Sequence, residues 1–474
     1  MTGAEGRARV GLLLTAAQWF SDIGAQEGSG RLKDLPQMLE RDTRSMLDAL
    51  DRRFEVVFPG RVSTAGEASA AAEAFRREGI DAVVLSSLMW SEDGPLARFL
   101  EDIGDMPLLL WCCTPFQKLP KRLSMAEAFR GSGVVGCLQG SVPLRKAGAR
   151  FSFVCGRPED EALDLEFSEY AEALLARRRM KALRIGRVGP RCGCMTGTWI
   201  DDRRLAAELG PTVVPVSCQR LAEIAGALTD AEVSAFIRDL KAGYPVLGVT
   251  DTSLRYAARA SLAVARLAAE EDLGVVSIED LNPELHRLLK TRPCLWPPGL
   301  RERGAVVGME ADVLTALGLW VSRQFCGHTP MYSEVLTFAT DDDVIPFGHG
   351  AMHDPELAGE NKVSIVPDYE FEAADEVEGA WLNFRCRPGR VTLVNLCERE
   401  SGYGMFAFRG EALKVPDEAE GFTCAYVKPD APPAAILEKA VRLGVMQHYA
   451  LSYGDLIGRL RKFCDLTGIG LDPI

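Results

Sequence analysis

Residues 81–112 read DAVVLSSLMWSEDGPLARFLEDIGDMPLLLWC. Two near-continuous apolar runs, Asp81 to Ser86 and Pro107 to Cys112, flank a stretch with helical spacing over 94–103. Strands buried on both faces carry such runs, and parallel neighbours need a crossover of this kind between them. The stretch therefore predicts a β–α–β unit. The alternation continues upstream, where Arg9 to Ala16 (RVGLLLTA) and Phe54 to Pro59 (FEVVFP) read as strands and 36–51 and 65–79 as helices. Together these predict a parallel, doubly wound sheet. Ligands collect at the carboxyl ends of the strands in such sheets. The end of the first strand, Thr15-Ala-Ala-Gln18-Trp19, is one such place.

Downstream, a long amphipathic segment over 163–181 leads into a second alternation. Leu183 to Val188, Thr212 to Ser217, Val246 to Thr250 and Gly274 to Ile278 read as strands, with helices between them that include Ser253 to Glu271. Residues 291–304 carry three prolines and two glycines and are expected to be largely irregular, followed by a helix beginning near Met309. From about residue 331 short β-rich runs separated by Gly, Pro and Asp predict an antiparallel barrel or sandwich, closed by helices over 433–443 and 453–466. A chain of 474 residues exceeds what one core organises. The expected division is an N-terminal α/β domain over 1–178, a central α/β domain over 179–325, and a β-rich C-terminal domain over 326–474.

An apolar fraction of 47% and a charged fraction of 26% are those of a globular protein. The net charge of −13 opposes a nucleic-acid or anionic-membrane surface. The densest basic run, Arg177 to Lys181, falls at a helix end, where cations complement the dipole. Thirteen cysteines form no CxxC pair, so free thiols in a reducing cytoplasm are expected. Cys192-Gly193-Cys194 could touch a soft metal, but one CxC is a weak signal. The N-terminal apolar run is too short to span a bilayer.

A literal GxGxxG at Gly131, Gly133 and Gly136 follows a helical segment instead of a strand, which removes the geometry that cradles a pyrophosphate. P-loop, GxSxG and HExxH patterns are absent. The chemistry-bearing residues lie in the last third. Glu310 (GMEADVLTALGLW), Glu334 (MYSEVLTF), His349 (PFGHGAMH) and His448 (VMQHYALSYGD) sit in apolar settings in a chain with only five histidines. Each has an ordinary account when taken singly: a helix-start carboxylate, a solvent-facing strand residue, a turn histidine, a core histidine. Taken together, two carboxylates and two imidazoles form a mixed oxygen/nitrogen set suited to a divalent ion such as Mn²⁺, and the carboxylates could also move protons. His353 is a competitor for the ligand role if its segment is helical. His286 and His328 lie in polar, loop-like contexts, and Asp341 to Asp343 reads as a solvated turn.

These residues give the chain a resemblance to the L-arabinose/L-fucose isomerase family. The match is carried by ME-x-D-x-x-x-AL around Glu310, the Glu334 strand, the Gly-His349 turn, His448 before a short polar run, and the opening V-G-L-L-L-T-x-x-Q-W-F with Gln18. The resemblance implies Glu310, Glu334, His349 and His448 as ligands of a Mn²⁺-type ion, with the two glutamates as the proton-transferring pair of an aldose–ketose isomerase. It also implies Gln18, Trp19 and Gln139 as sugar contacts, and a trimer or hexamer. The chain departs from the family at Gln447-His448, where the arabinose branch has two histidines, and between Glu334 and His349. The competing expectations are an epimerase or lyase that shares the enediolate intermediate, and a non-catalytic sugar-binding protein.

Overall fold

The computed structural model describes residues 6–18, 32–339, 341–370, 379–415 and 422–474. They form two compact units, residues 2–178 with 462–468, and residues 179–461 with 469–474.

The first unit is built on six strands: β1 (Arg9–Thr15), β2 (Glu55–Val57), β3 (Arg61–Val62), β4 (Ala82–Ser87), β5 (Leu108–Cys113) and β6 (Phe151–Gly156). Their order is β2-β1-β4-β5-β6 with β3 also on β1, and every pairing is parallel. All six residues of β4 are buried, as its unbroken apolar run requires. β6 escapes a pattern search because its residues alternate: Ser152 and Val154 are buried while Phe153 is half exposed. Helix Ala65–Glu78 starts at a Thr64/Glu67 capping box and ends at Gly79, φ 62°. It delivers Phe75 edge-on to Phe99 within a core that includes Leu13, Val83, Leu85 and Leu110. The GxGxxG glycines serve packing. Helix Gly133–Lys146 lies against the end of β4 so closely that a Cβ on Gly136 would stand 2.7 Å from the Ser87 Cβ.

The second unit begins with a four-stranded parallel sheet, β10-β9-β7-β8, from β7 (Arg184–Val188), β8 (Thr212–Val216), β9 (Val275–Ile278) and β10 (Val306–Met309). Two sequence expectations are corrected here. Val246 to Thr250 is not a strand. It makes one bridge, Val246 to Ile365, leaves Leu247 exposed, and ends with Thr250 capping helix Asp251–Glu270. Residues 291–304 are largely irregular as expected, apart from a short helix, Pro298–Arg303, with Pro298 in its first turn, where a missing N–H costs nothing. The segment expected to start a helix near Met309 is instead the end of β10, and helix Val313–Cys326 begins after Asp312.

The rest of this unit is mostly antiparallel. Strands β11 (Met331–Val335), β12 (Ile345–His349), β15 (Gly389–Arg399), β16 (Gly402–Ala412), β17 (Thr423–Pro429) and β18 (His448–Tyr453) run in the order β15-β18-β11-β12-β17-β16. The β15–β16 pairing closes them into a six-stranded barrel. β13 (Val363–Pro367) pairs with β14 (Ala380–Phe384), and β19 (Gly470–Pro473) joins β16 in parallel. Rings from non-adjacent strands meet one another: Phe347 of β12, Phe406 and Phe408 of β16, and Tyr449 of β18. Strands separated by a neighbour can share contacts only through the lumen, so this aromatic cluster is the barrel core. Among the described residues no helix is long and apolar enough to cross a membrane.

Candidate active site

Side chains alternate along a strand, so His448, next to Tyr449, faces out of the barrel. It meets the carboxyl end of the parallel sheet, where β10 delivers Glu310. The connection there is tight: Glu310 and Ala311 both take left-handed backbone angles, φ 59° and 52°. For residues with a Cβ this costs about 1–3 kcal/mol each, and surrounding bonds must hold it. The Glu310 N–H donates to Asp280 Oδ1 at 2.8 Å, the Ala311 N–H to the Ile278 carbonyl at 2.9 Å, and the Asp312 N–H to the Met309 carbonyl at 3.0 Å. Asp312 then caps helix Val313–Cys326 by accepting from the Thr315 N–H at 2.9 Å.

Register supplies the other side chains. In β11, Glu334 lies opposite His448 on one flank and Gly348 on the other. Directly opposed residues share a face of the sheet, so Glu334 and His448 project together. His349 ends β12, its ring edge-on to Tyr332 at 4.9 Å and to His448 at 5.6 Å between centroids.

Glu310, His349 and His448 each present a ligand atom within 4.8 Å of the others. His448 Nε2 stands 2.7 Å from Glu310 Oε2 and His349 Nε2 stands 3.7 Å from Glu310 Oε1. Glu310 Oε2, His448 Nε2 and His349 Nδ1 are buried without a properly oriented hydrogen bond among the described residues. Two donors about 2.1 Å from a shared ion, at right angles, stand about 3 Å apart. Glu310 Oε2 and His448 Nε2, close enough to share an ion and not aligned to bond each other, fit a cation. The donor set, carboxylate oxygen and imidazole nitrogen without sulfur, fits a Mn²⁺-type divalent ion.

The nitrogen facing away from that point is tied down. His448 Nδ1 lies 2.9 Å from Asp312 Oδ2 and 2.9 Å from the Tyr332 hydroxyl. A carboxylate on Nδ1–H fixes the tautomer that leaves the Nε2 lone pair free for a metal. Burial disfavours the charged ring of His448, but Asp312 and the 2.7 Å approach of Glu310 outweigh it and push its pKa up to about 10 when no cation lies between them. A metal ion would therefore take Nε2 in exchange for a proton. His349 goes the other way. Burial and the neighbouring His448 hold it well below the usual range, so it is a neutral imidazole. Burial raises Glu334, Glu310 adds repulsion, and His448 partly offsets both. His353 does not compete for the ligand role. Its Nε2 bonds the His349 carbonyl at 2.9 Å, and burial lowers its pKa to about 4.

Beneath the site lies a buried ionic cage that the sequence pattern did not reveal. Arg292, fully buried, donates to Asp368 through Nε at 2.9 Å and Nη2 at 2.7 Å, and to Asp280 at 3.0 Å, with Glu370 as a further partner. Asp280 is the carboxylate that holds the Glu310 N–H, and Gly350, next to His349, packs against Trp381, Glu370 and Arg292. The cage thus braces the turns that carry Glu310 and His349. His286, read as a loop residue, is buried in helix Pro283–Leu289 and bonds the Asp280 carbonyl at 2.5 Å. The sequence signal for this region was the acidic pair Glu279-Asp280 directly after the apolar run of β9.

The sugar-contact candidates belong to the first unit. Gln18 is exposed just beyond β1. Gln139 uses both ends of its amide, accepting from Trp90 Nε1 at 2.9 Å and donating to Asp93 Oδ1 at 3.0 Å. Trp19 lies outside the described residues.

No protein-family model matches the chain. Curated relatives do. The sulfoquinovose isomerase of Alkalicoccus urumqiensis is 22% identical over 386 residues, 81% of this chain and 83% of that protein. Sulfoquinovose isomerases of Priestia megaterium (20% identical; 80% of this chain, 82% of that protein) and of Clostridium sp. strain MSTE9 (22%; 76% and 79%) are similar. By this relationship the chain is an isomerase, related to enzymes of carbohydrate metabolism.

Proposed function

We propose that this isomerase interconverts an aldose and a ketose through a cis-enediolate, with a bound Mn²⁺-type ion, and that its substrate is sulfoquinovose or a closely similar sulfonated sugar. The observation that carries the reading is the convergence of Glu310 Oε2 and His448 Nε2, 2.7 Å apart and buried without hydrogen bonds of their own, with His349 beside them. The names of the relatives support the substrate class. The family resemblance supports Glu334 as the fourth ligand and as Glu310's partner in proton transfer.

The ion, when bound, supplies positive charge at the sugar oxygens O1 and O2, where negative charge develops. The chain's own groups do the rest. One glutamate must take the C2 proton and the other must return a proton at C1, so the two must differ in basicity. Burial raises Glu334, against the opposing charge of His448 and with repulsion from Glu310, which suits it to hold a proton. Neutral His349 completes the donor set without adding charge. Asp312 holds His448 in the tautomer that ligation needs, and Asp280 holds the Glu310 turn. Gln18, Trp19 and Gln139 remain the proposed sugar contacts, and assembly into a trimer or hexamer remains part of the proposal.

The test is proton NMR of sulfoquinovose, pentoses and 6-deoxyhexoses with Mn²⁺-loaded protein. Ketose formation from sulfoquinovose, lost on chelation and regained with Mn²⁺, is the expected result. Conversion that persists after complete metal removal refutes the metal-dependent reading. Selective turnover of another sugar refutes the substrate assignment.

A further inference from the structure

Cys192-Gly193-Cys194 takes no part in that site, yet it is placed to act on it. The two Sγ atoms lie 3.3 Å apart, against about 2.05 Å in a disulfide. Cys194 is exposed and Cys192 buried, so one thiol meets solvent and the other waits behind it. Nothing lies within 4 Å of a Cβ placed on Gly193, which leaves room and backbone freedom for ring closure. The Glu279 carboxylate lies beside the Cys192 thiol, and its Oε2 is buried without a partner among the described residues.

The same loop is tied to the site residues. Trp199 Nε1 donates to the Cys192 carbonyl at 2.6 Å, and Gln447 Nε2 reaches Met195 Sδ at 3.2 Å. Gly197 packs on Met446. Residues 446 and 447 lead directly into His448. Glu279 precedes Asp280, whose carboxylate holds the Glu310 N–H. A change of geometry at Cys192 therefore reaches both Glu310 and His448 through short chains of contacts.

We propose that Cys192 and Cys194 form a reversible disulfide that switches the neighbouring metal site between a competent and an impaired state. The effect on the site rests on the proposed function; the bond itself does not. The oxidant is a small disulfide of the glutathione type. The Cys194 thiolate attacks one sulfur of oxidised glutathione and releases the first glutathione, leaving a mixed disulfide on Cys194. The Cys192 thiol then passes its proton to Glu279, its sulfur attacks Cys194 Sγ, and the second glutathione leaves as the thiolate and is protonated. Two electrons move from the cysteine pair to the oxidant, and the two thiol protons end on two glutathione molecules. Burial pushes the Cys192 thiol up to about 12 and, with the Asp280 charge, Glu279 up to about 7, so the second step is the slow one and depends on a neighbouring proton acceptor.

The experiment equilibrates the full-length protein over a series of oxidised to reduced glutathione ratios, quenches and alkylates it, and weighs the peptide containing residues 192–194. Mn²⁺ affinity and sugar turnover are read on the same samples. The expected peptide has lost two hydrogens, with Mn²⁺ affinity or turnover reduced at least fivefold and restored by dithiothreitol. Cys194→Ser should keep full activity at every ratio. Cys192→Ser should stop at the mixed disulfide on Cys194. Wild-type protein that also stops at the mixed disulfide, or that stays reduced where the exposed Cys155 is oxidised, overturns the proposal. A disulfide that forms without altering either Mn²⁺ affinity or turnover overturns the switch and leaves the isomerase reading standing. If no sugar turns over in either state, the isomerase reading fails and the Mn²⁺ affinity still decides the switch.

Discussion

Replacing Asp312 by asparagine changes one atom and tests how the candidate metal site is oriented. Asp312 Oδ1 caps the helix by accepting from the Thr315 N–H at 2.9 Å, and the amide oxygen of asparagine can keep that bond. Oδ2 accepts from the Thr315 hydroxyl at 2.7 Å and from His448 Nδ1 at 2.9 Å. An NH₂ group in its place donates where the carboxylate accepted. The threonine hydroxyl can rotate to receive it; His448 can comply only by moving its proton to Nε2, the nitrogen that faces Glu310. The ring then presents N–H instead of a lone pair to the metal position. Loss of such a partner costs about 10–100-fold in metal affinity, or about 1.4–2.8 kcal/mol. The Tyr332 hydroxyl, also 2.9 Å from Nδ1, remains as a weaker acceptor. The single variant should therefore fall near the low end of that range and Asp312→Asn with Tyr332→Phe near the high end. Isothermal titration with Mn²⁺ measures this, alongside thermal unfolding to show that the capped helix persists. Wild-type affinity in the folded double variant refutes the orientation argument.

Three further outcomes follow from the same geometry. Glu310→Gln and Glu334→Gln should each lower kcat by about 10²–10⁴-fold, the usual worth of a positioned acid or base, while circular dichroism stays native; turnover within threefold of wild type would remove the residue from proton transfer. Glu279 is raised from 4.5 to about 7, mainly by burial and then by Asp280. Its unfolded form loses its proton first as pH rises, so folding stability falls between pH 4.5 and 7 by up to about 3 kcal/mol and stays lowered above that. Glu279→Gln should match wild type in thermal unfolding at pH 4 and exceed it at pH 8, and an equal difference at both pH values would contradict this. Arg292→Met leaves Asp280 and Asp368 buried and unpaired, a loss of about 3–5 kcal/mol, with Arg292→Lys intermediate because it cannot make the two-pronged contact. A urea midpoint unchanged in Arg292→Met would show that the cage is not bracing the fold.

How far the sequence carried this reading depended on whether a feature was local. β1, β4 and β5 are unbroken apolar runs with turn residues at their ends, and they form where that pattern puts them. Val246 to Thr250 has the same β-branched character, but Gly248 at φ 69° and the Thr250 cap turn it into a helix entry. The Glu310 turn was illegible because glutamate and alanine are good helix formers. Nothing local announces that both adopt left-handed angles; a hydrogen bond from Asp280, thirty residues away in sequence, holds them there. Arg292 sits in a proline-rich stretch that reads as loop, and its partner Asp368 is distant along the chain. By contrast, Glu310, Glu334, His349 and His448 could be picked out because polar side chains within apolar strands need a reason. Their mutual distances, and the supporting roles of Asp312, Tyr332 and Asp280, required the fold.

The central claim is that the Glu310–His349–His448 cluster with Glu334 moves a proton between C2 and C1 of a sugar in a metal-dependent way. The most direct measurement follows the label of C2-deuterated sulfoquinovose through Mn²⁺-loaded and chelator-stripped protein in ordinary water, by NMR. The account predicts that deuterium leaves C2, appearing at C1 of the ketose or in solvent, with the metal and not without it, and that Glu310→Gln abolishes the loss. Deuterium that stays on C2 of the aldose with the metal bound, or equal label loss without metal, would contradict it.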